Sequence, residues 1–245
     1  MRILLTGTRG YRPGFIGGNF LRLYGNKYDI VEYENDIRDW PNKHSSYWKR
    51  FDFVIHLAAM AGVRRSHEDP ELFWDVNVNA SKKIFESFNN ETPIIYASSS
   101  SIYEWWLSPY ATTKYVMEAL APENSLGLRF HTVYGPNSRT DMMYENLLKK
   151  NVSYITDHVR DWTHVEDVCS AIDVSIENYW KLTGVGAIDV GNGKPVLVQD
   201  LADHLWPDNN LPMKEVTGER RRTCADPSHL VQLGWTPRHH VLDPL

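Results

Sequence analysis

The chain has 245 residues, 42% of them apolar and 23% charged, with 15 glycines and 13 prolines. That balance excludes a disordered, collagen-like or coiled-coil chain, and at this length roughly 70–75% of the unfolded surface can be buried, enough for one large core or a core plus a small lobe. A net charge of −5 gives no general reason to expect nucleic acid or an acidic membrane as a partner.

Short apolar runs rich in Ile, Val and Phe alternate with longer amphipathic stretches, the pattern of an α/β fold with a mostly parallel sheet and helices on both faces. The first run, "RILLTG", enters a glycine-rich loop and is followed by a helix over 15–24. "DIVEYE" and "FDFVIHLAA" come next, then a helix over 70–89 that opens with Pro70. "PIIYASS" precedes a helix over 109–121, opened by Pro109, and "LGLRFHTVYG" is the fifth run. Each run ends in small or polar residues, where parallel strands deliver their carboxyl ends to a site. After about Gly135 the rhythm changes to a helix over 141–150, a short strand over 153–156, a helix over 165–181 and "AIDVGNG". That change predicts a smaller lobe sharing elements with the first. No internal repeat, low-complexity tract or linker interrupts the chain.

"ILLTGTRGYRPGFIGG" places a buried strand before Gly7, Gly10, Gly14 and Gly17 and then starts a helix. Glycines there permit positive φ and let backbone N–H groups approach a pyrophosphate, whose charge the helix N-terminus favours. The same pattern also fits an ordinary strand-to-helix turn. Glu32 or Glu34, at the end of the second run, can accept hydrogen bonds from a ribose 2′-hydroxyl and would repel a 2′-phosphate, which favours NAD over NADP. Arg9 and Arg12 in the loop point the other way, since either could reach a phosphate.

"YASSSSIYEWWLSPYATTK" carries the most chemistry. Tyr110 and Lys114, four positions apart, lie on one face of a helix that starts at Pro109. Making a tyrosine a base at neutral pH takes a shift of about three units, or about 4 kcal/mol, of which a nearby ammonium supplies part. Lys114 can also bond a ribose, and Ser99 can bond the substrate hydroxyl whose proton moves.

The segment "TG" followed by "GFIGG", with "NDIRD", "HLAA" and the Tyr110/Lys114 pair in this order, resembles the extended short-chain dehydrogenase/reductase family and its T-G-x-x-G-F-I-G fingerprint. One departure is clear: six residues, "TRGYRP", stand between Gly7 and Gly14 where the family has two. The resemblance implies a Rossmann-type domain over 1–135, to which 160–192 partly returns, and a small C-terminal substrate-binding lobe over 136–245. It puts "HLAA" at the end of a fourth strand and "ASSSSIY" at the end of a fifth. Gly7, Gly10, Gly14, Phe15, Ile16 and Gly17 would cradle the dinucleotide, with Asp36 and Ile37 at its adenine. Leu57, Ala58, Ala59, Ala97, Ser98, Tyr110, Lys114, Phe130 and Val133 would line the rest of the cofactor. Ser99, Tyr110 and Lys114 would be the catalytic set.

"HLAAMAGVRRS", "YASSSSIY", "LRFHTVYGPNSRTDM" and "VRDWTHVEDV" further resemble the UDP-glucuronate 4-epimerase branch. Ser100 and Ser101 stand where the 4,6-dehydratases have Asp and Glu, and a glutamate is also usual at the Ser101 position in glucuronate decarboxylases, so both activities are disfavoured. By this match Ser100, Ser101 and Thr132 sit beside the sugar, Arg139 faces its C6 carboxylate, and Arg160 binds the diphosphate. Further departures are the short Ser99–Tyr110 interval, Glu104 in place of the glycine that follows "VY", the Asn137-Ser138 pair, and a shortened stretch over 142–159. Trp105 and Trp106 would cover the sugar or pack into the core or a dimer contact.

The expected function is a nucleotide-sugar 4-epimerase with retained NAD, acting on a UDP-uronic acid as a homodimer. The alternatives are an NADPH-dependent reductase of a 4-keto nucleotide sugar and a non-catalytic nucleotide-binding relative. The ten histidines form no ligand spacing, so no metal is expected. Of Arg220, Arg221 and Arg222 at most two can cooperate, because residues of an extended segment alternate between faces, and a solvated strand is the plain reading. Cys169 and Cys224 fit a reducing compartment as buried or inert thiols. The apolar start over 1–6 is too short for a signal peptide and no run of about 18 apolar residues occurs, which together predict a soluble, cytoplasmic protein.

Overall fold

The computed structural model describes residues 1–8, 14–41, 48–88 and 92–244. The chain opens with β1 (Arg2–Thr6), α1 (Phe15–Tyr24), β2 (Asp29–Tyr33) and β3 (Phe53–His56). Two short helices, α2 (Val63–Glu68) and α3 (Pro70–Trp74), run through a wider π-type turn at Asp75–Ala80 into α4 (Ser81–Ser87). Next come β4 (Ile94–Ser99), a 3-10 segment over Ser100–Leu107, α5 (Pro109–Leu120) and β5 (Ser125–Phe130). The remainder holds β6 (Thr132–Tyr134), α6 (Met143–Leu148), β7 (Val159–Arg160), β8 (Trp162–His164), α7 (Val165–Glu177) and α8 (Tyr179–Leu182). It ends with β9 (Ala187–Val190), β10 (Val196–Leu197), α9 (Val198–Leu205) and α10 (Ser228–Val231).

Six strands form one parallel sheet in the order β2-β1-β3-β4-β5-β9. Because strand side chains alternate between faces, neighbouring residues enter different cores. Ile3, Leu5, Ile55 and Ile95 pack with Phe20 of α1 and Val168, Ile172 and Ile176 of α7. Leu4, Val54, Ile94 and Tyr96 pack on the other face with Ile84, Phe85 and Met117. A third core joins Tyr134, Leu147, Ile155, Trp162, Leu201 and Val241 beyond the sheet. Two of the helices that flank the site begin on capped prolines: the Asp69 carboxylate accepts Leu72 N–H at 3.1 Å, and the Ser108 hydroxyl accepts Ala111 N–H at 3.2 Å.

Several expected elements are corrected. "HLAA" follows the third strand and "ASSSS" the fourth, since among the described residues no strand lies between β2 and β3. The fifth run breaks at His131: His131 N–H donates to Val190 O, but Thr132 N–H turns to Asp161 O, so β6 leaves the main sheet to pair with β8. The strand expected over 153–156 reduces to one bridge between Ile155 and Met213, because Pro212 beside it has no N–H to extend a ladder. The helix over 165–181 is broken at Asn178, and the one over 70–89 contains the π-type turn, its last two residues' span reaching position 89 outside the described residues. Cys169 is buried, with its thiol pushed up to about 12 by burial, whereas Cys224 is exposed. Among the described residues no helix is long and apolar enough to cross a membrane.

Asp161 ties the C-terminal segments to this frame. Its carboxylate, fully buried, accepts the N–H groups of Asn192, Gly193 and Ala225, each at 2.8 Å. Asp161→Ala leaves three donors unsatisfied and is expected to cost about 3–5 kcal/mol in urea unfolding. A loss below about 1 kcal/mol would contradict this role.

Candidate active site

The carboxyl end of β1 meets the start of α1 with no room for side chains. A Cβ on Gly14 would lie 1.6 Å from Gly7 O, one on Gly17 2.5 Å from the same oxygen, and one on Gly7 2.6 Å from Ala58 N. Gly7 also has φ +86°, a conformation that favours glycine. This packing presses the first turn of α1 against β1 and the Leu57-Ala58-Ala59 segment, leaving backbone N–H groups to face a ligand, and it fits a dinucleotide pyrophosphate. Gly10, Arg9 and Arg12 lie outside the described residues. Thr6 Oγ1 accepts Ala58 N–H at 3.1 Å and bonds His56 Nδ1 at 2.8 Å, while His56 Nε2 reaches Ser81 Oγ at 2.9 Å. Burial, with the Lys114 charge behind it, pushes His56 down to about 3, so it is a neutral strut.

Other expected cofactor residues divide into two kinds. Phe130 and Val133 are buried in the first core, and Phe15, Ile16, Leu57 and Ala97 pack against it. Ile37 is buried in the second core. Asp36 is exposed and holds Arg38 at 2.6 Å, a contact that keeps its carboxyl below the ordinary range. Glu32 lies in β2 and Glu34 just beyond it. Ser98 turns away, donating to Glu118 Oε1 at 2.5 Å.

Ser99, at the end of β4, accepts Ser101 N–H at 3.2 Å and so starts the 3-10 segment. Tyr110 is the second residue of α5, partly buried, with its ring edge-on to Phe73 at 6.2 Å. Burial pushes its phenol up from the ordinary value, while the adjacent Ser99 hydroxyl and the Arg139 guanidinium pull the other way. Lys114, one turn along and 2% exposed, donates to Ala97 O at 2.8 Å. Burial pushes its ammonium down to about 7, with Glu118 opposing.

Sequence reasoning missed Asn77. Fully buried, it accepts Met60 N–H at 2.8 Å and donates to Met60 O and Thr113 Oγ1 at 3.0 Å each, clamping the loop after β3 to α5. Its one signal in the sequence is an amide set between Val76 and Val78.

A pocket of about 160 Å³ is lined by Ser100 and Ala111, the chain neighbours of Ser99 and Tyr110. It gathers Ser100, Ser101, Thr132 and Arg160 with Glu219 and Arg220. Arg160, with its side chain 13% exposed, is paired with Glu219 at 3.3 Å, and its partial burial lowers its pKa. Glu219 also takes Arg64 at 3.3 Å. Arg139 does not line this pocket; its Nε donates to Asp141 at 3.0 Å. Trp105 and Trp106 are 39% and 63% exposed, so neither is a core residue, and Trp105 stacks on Tyr115. The structure also brings His164, Glu166 and His239 together, with ligand-capable atoms within 4.8 Å, which sequence spacing did not reveal. Two of the three are already engaged: Glu166 holds Arg22 at 2.9 Å, and His164 Nδ1 accepts Glu166 N–H at 3.3 Å.

A parallel sheet with a glycine-packed first turn and a Ser/Tyr/Lys set defines a Rossmann-type dinucleotide site. A sequence model of the NAD dependent epimerase/dehydratase family matches residues 3–191, and the chain belongs to that family. It is 32% identical over 195 residues to UDP-glucuronate 4-epimerase 4 of Arabidopsis thaliana, covering 62% of this chain and 45% of that one. A UDP-glucuronate 4-epimerase of Thermodesulfobacterium geofontis is 32% identical over 182 residues, covering 62% and 55%. The matched region thus spans about half the length of these curated relatives. Among solved structures, MoeE5 in complex with UDP-glucuronic acid and NAD is 25% identical with a TM-score of 0.83, covering 99% of this chain and 95% of that chain. The UDP-glucuronic acid 4-epimerase of Bacillus cereus shares the fold at 23% identity and a TM-score of 0.79, covering 99% and 96%.

The buried Lys114 gives a pH test. Its native pKa, about 7, is below its unfolded value of about 10.4, so between these pH values only the unfolded chain holds the proton and stability rises with pH. Below pH 7 the full cost of burying the ammonium is present. Lys114→Met is therefore expected to stabilise the ligand-free protein by about 2–4 kcal/mol at pH 6, a gain that shrinks as the pH approaches 10. Urea midpoints across that range check it; a gain independent of pH would contradict it.

Proposed function

We propose that the protein is an NAD-dependent nucleotide-sugar 4-epimerase acting on a UDP-uronic acid. The observation that carries this reading is the Ser99–Tyr110 pair, whose chain neighbours Ser100 and Ala111 line a pocket together with Ser101, Thr132 and two arginines. Hydroxyls suit a sugar, and guanidinium groups suit a diphosphate and a carboxylate. The curated relatives named UDP-glucuronate 4-epimerase and the MoeE5 complex support the same substrate class.

NAD, when bound, supplies the hydride acceptor and donor at its nicotinamide ring. The packed glycines Gly7, Gly14 and Gly17 would hold its pyrophosphate at the start of α1, and Lys114 would bond the nicotinamide ribose. Tyr110 takes the proton of the sugar C4 hydroxyl as C4 is oxidised and returns it when C4 is reduced on the opposite face. Ser99 holds that hydroxyl toward the phenol. Arg139, within electrostatic reach of Tyr110, favours the phenolate that burial opposes. Arg160 anchors the diphosphate, so the 4-keto sugar can turn over without leaving.

Tyr110→Phe removes the phenol oxygen and keeps the ring, so it is expected to lower UDP-glucuronate/UDP-galacturonate interconversion by at least about a thousandfold while NAD still copurifies. Wild-type turnover in this variant would assign the proton transfer elsewhere. Assayed with the wild type, interconversion is expected with no consumption of reduced dinucleotide; one NADPH consumed per product would replace the epimerase by a reductase.

A further inference from the structure

The run Arg220-Arg221-Arg222 is divided by its backbone pairing. Val159 N–H donates to Arg221 O at 2.8 Å and Thr223 N–H to Val159 O at 3.0 Å, so the segment lies extended alongside β7. Successive side chains then point to opposite sides. Arg221 turns outward to Asp157 and Glu215, and Arg222 is exposed. Arg220 turns into the pocket, 20% exposed, and lies over the Tyr103 ring at 5.2 Å from its centroid. Its Nη1 donates to Ser100 O at 3.0 Å and its Nε to Glu104 Oε1 at 3.3 Å. Nη2 has no hydrogen-bond partner among the described residues, so its N–H groups are unspent in a pocket that Ser101 and Thr132 also line.

Arg139, whose charge reaches Tyr110, does not line this pocket. The chain leaves β6 through Gly135 and Asn137, both with positive φ, the latter at +67°. That turn ends with Arg139 paired to Asp141, outside the pocket lining.

We infer that Arg220 is the specificity-determining cation of the sugar pocket, receiving a carboxylate on the sugar ring together with the hydroxyls of Ser101 and Thr132. The inference deepens the UDP-uronate reading and rests on it. Arg220's partners Ser100 and Glu104 belong to the segment directly after Ser99, which places the guanidinium at the sugar end of the pocket rather than at the diphosphate end. Glu104, which stands where the resembling sequences have glycine, bonds Nε and, with Ser100 O on Nη1, fixes the plane of the guanidinium. Within the pocket Arg160 and Arg220 balance Glu219 and Glu104, and Arg64 adds a third guanidinium at Glu219 from outside its lining.

The test compares dissociation constants for UDP-glucuronate, UDP-glucose and UDP, by calorimetry on the NAD-loaded protein. Wild type, Arg220→Ala, Arg139→Ala, Glu104→Gln and the double variant Glu104→Gly/Arg220→Ala are measured; the double variant leaves no unpaired carboxylate behind. A charge-assisted pair in a closed site predicts that Arg220→Ala and the double variant each lower the UDP-glucuronate over UDP-glucose preference by about ten- to a hundredfold. Arg139→Ala is expected to keep that preference within about twofold, and Glu104→Gln to keep or strengthen it. A preference that survives in both Arg220 variants, or that is lost in Arg139→Ala instead, overturns the assignment. So does an Arg220→Ala variant that weakens both sugars and UDP equally, which would make Arg220 a diphosphate ligand. A wild type that binds UDP and both sugars with no preference overturns the uronate reading itself, a result distinct from a preference that Arg220 does not control.

Discussion

Gly7, Gly14 and Gly17 meet at one carbonyl, and the rest of the site is registered from that contact. With Gly14 and Gly17 both closed onto Gly7 O, and Gly7 itself against Ala58 N, the end of β1, the start of α1 and the loop after β3 form a single backbone-packed unit. A Cβ at any of these positions would lie within 2.6 Å of backbone atoms and force the layers apart, most of all at Gly14. The unit aims the N-terminus of α1 across the carboxyl edge of the sheet, where its partial positive charge favours an anion. Parallel pairing then fixes the height of every other strand end: Thr6 is opposite His56, and His56 is opposite Tyr96, three residues before Ser99.

On the other side of the crevice, the chain presents arginines that are each held by an internal carboxylate: Arg160 by Glu219, Arg220 by Glu104, Arg139 by Asp141. A partly buried guanidinium without a partner is costly, so Glu219 and Glu104 offset the charge of Arg160 and Arg220, whose side chains are 13% and 20% exposed, when no ligand neutralises it. They also set the guanidinium planes beforehand. An anionic ligand then meets donors whose orientation is fixed, and less side-chain entropy is lost on binding.

Much of the frame was legible in the sequence because it rests on local rules. α1 runs over 15–24 as expected from the glycine loop, and α5 starts at Pro109 because Ser108 caps it. The misses come from pairing decided at a distance. Nothing near His131 announces that Thr132 will exchange β9 for Asp161 O, and nothing in 153–156 announces that its partner contains Pro212. The site follows the same division. Ser99, Tyr110, Lys114, Thr132 and Arg160 belong to segments that match by motif. Arg220 and Asn77 act through contacts over a hundred and a few tens of positions away, so their roles depend on a fold that no short window encodes. Arg139 is set apart by the left-handed turn at Asn137, a conformation the neighbouring Asn-Ser pair permits but does not dictate.

The central claim is that this crevice removes and returns the same hydrogen at C4 of a UDP-uronic acid. Following UDP-glucuronate labelled with deuterium at C4 by mass spectrometry and NMR tests it most directly. The account predicts UDP-galacturonate that keeps the label at C4, with no exchange into water and no reduced dinucleotide accumulating. Loss of the label to solvent, or product formed only with stoichiometric reduced dinucleotide, would contradict it.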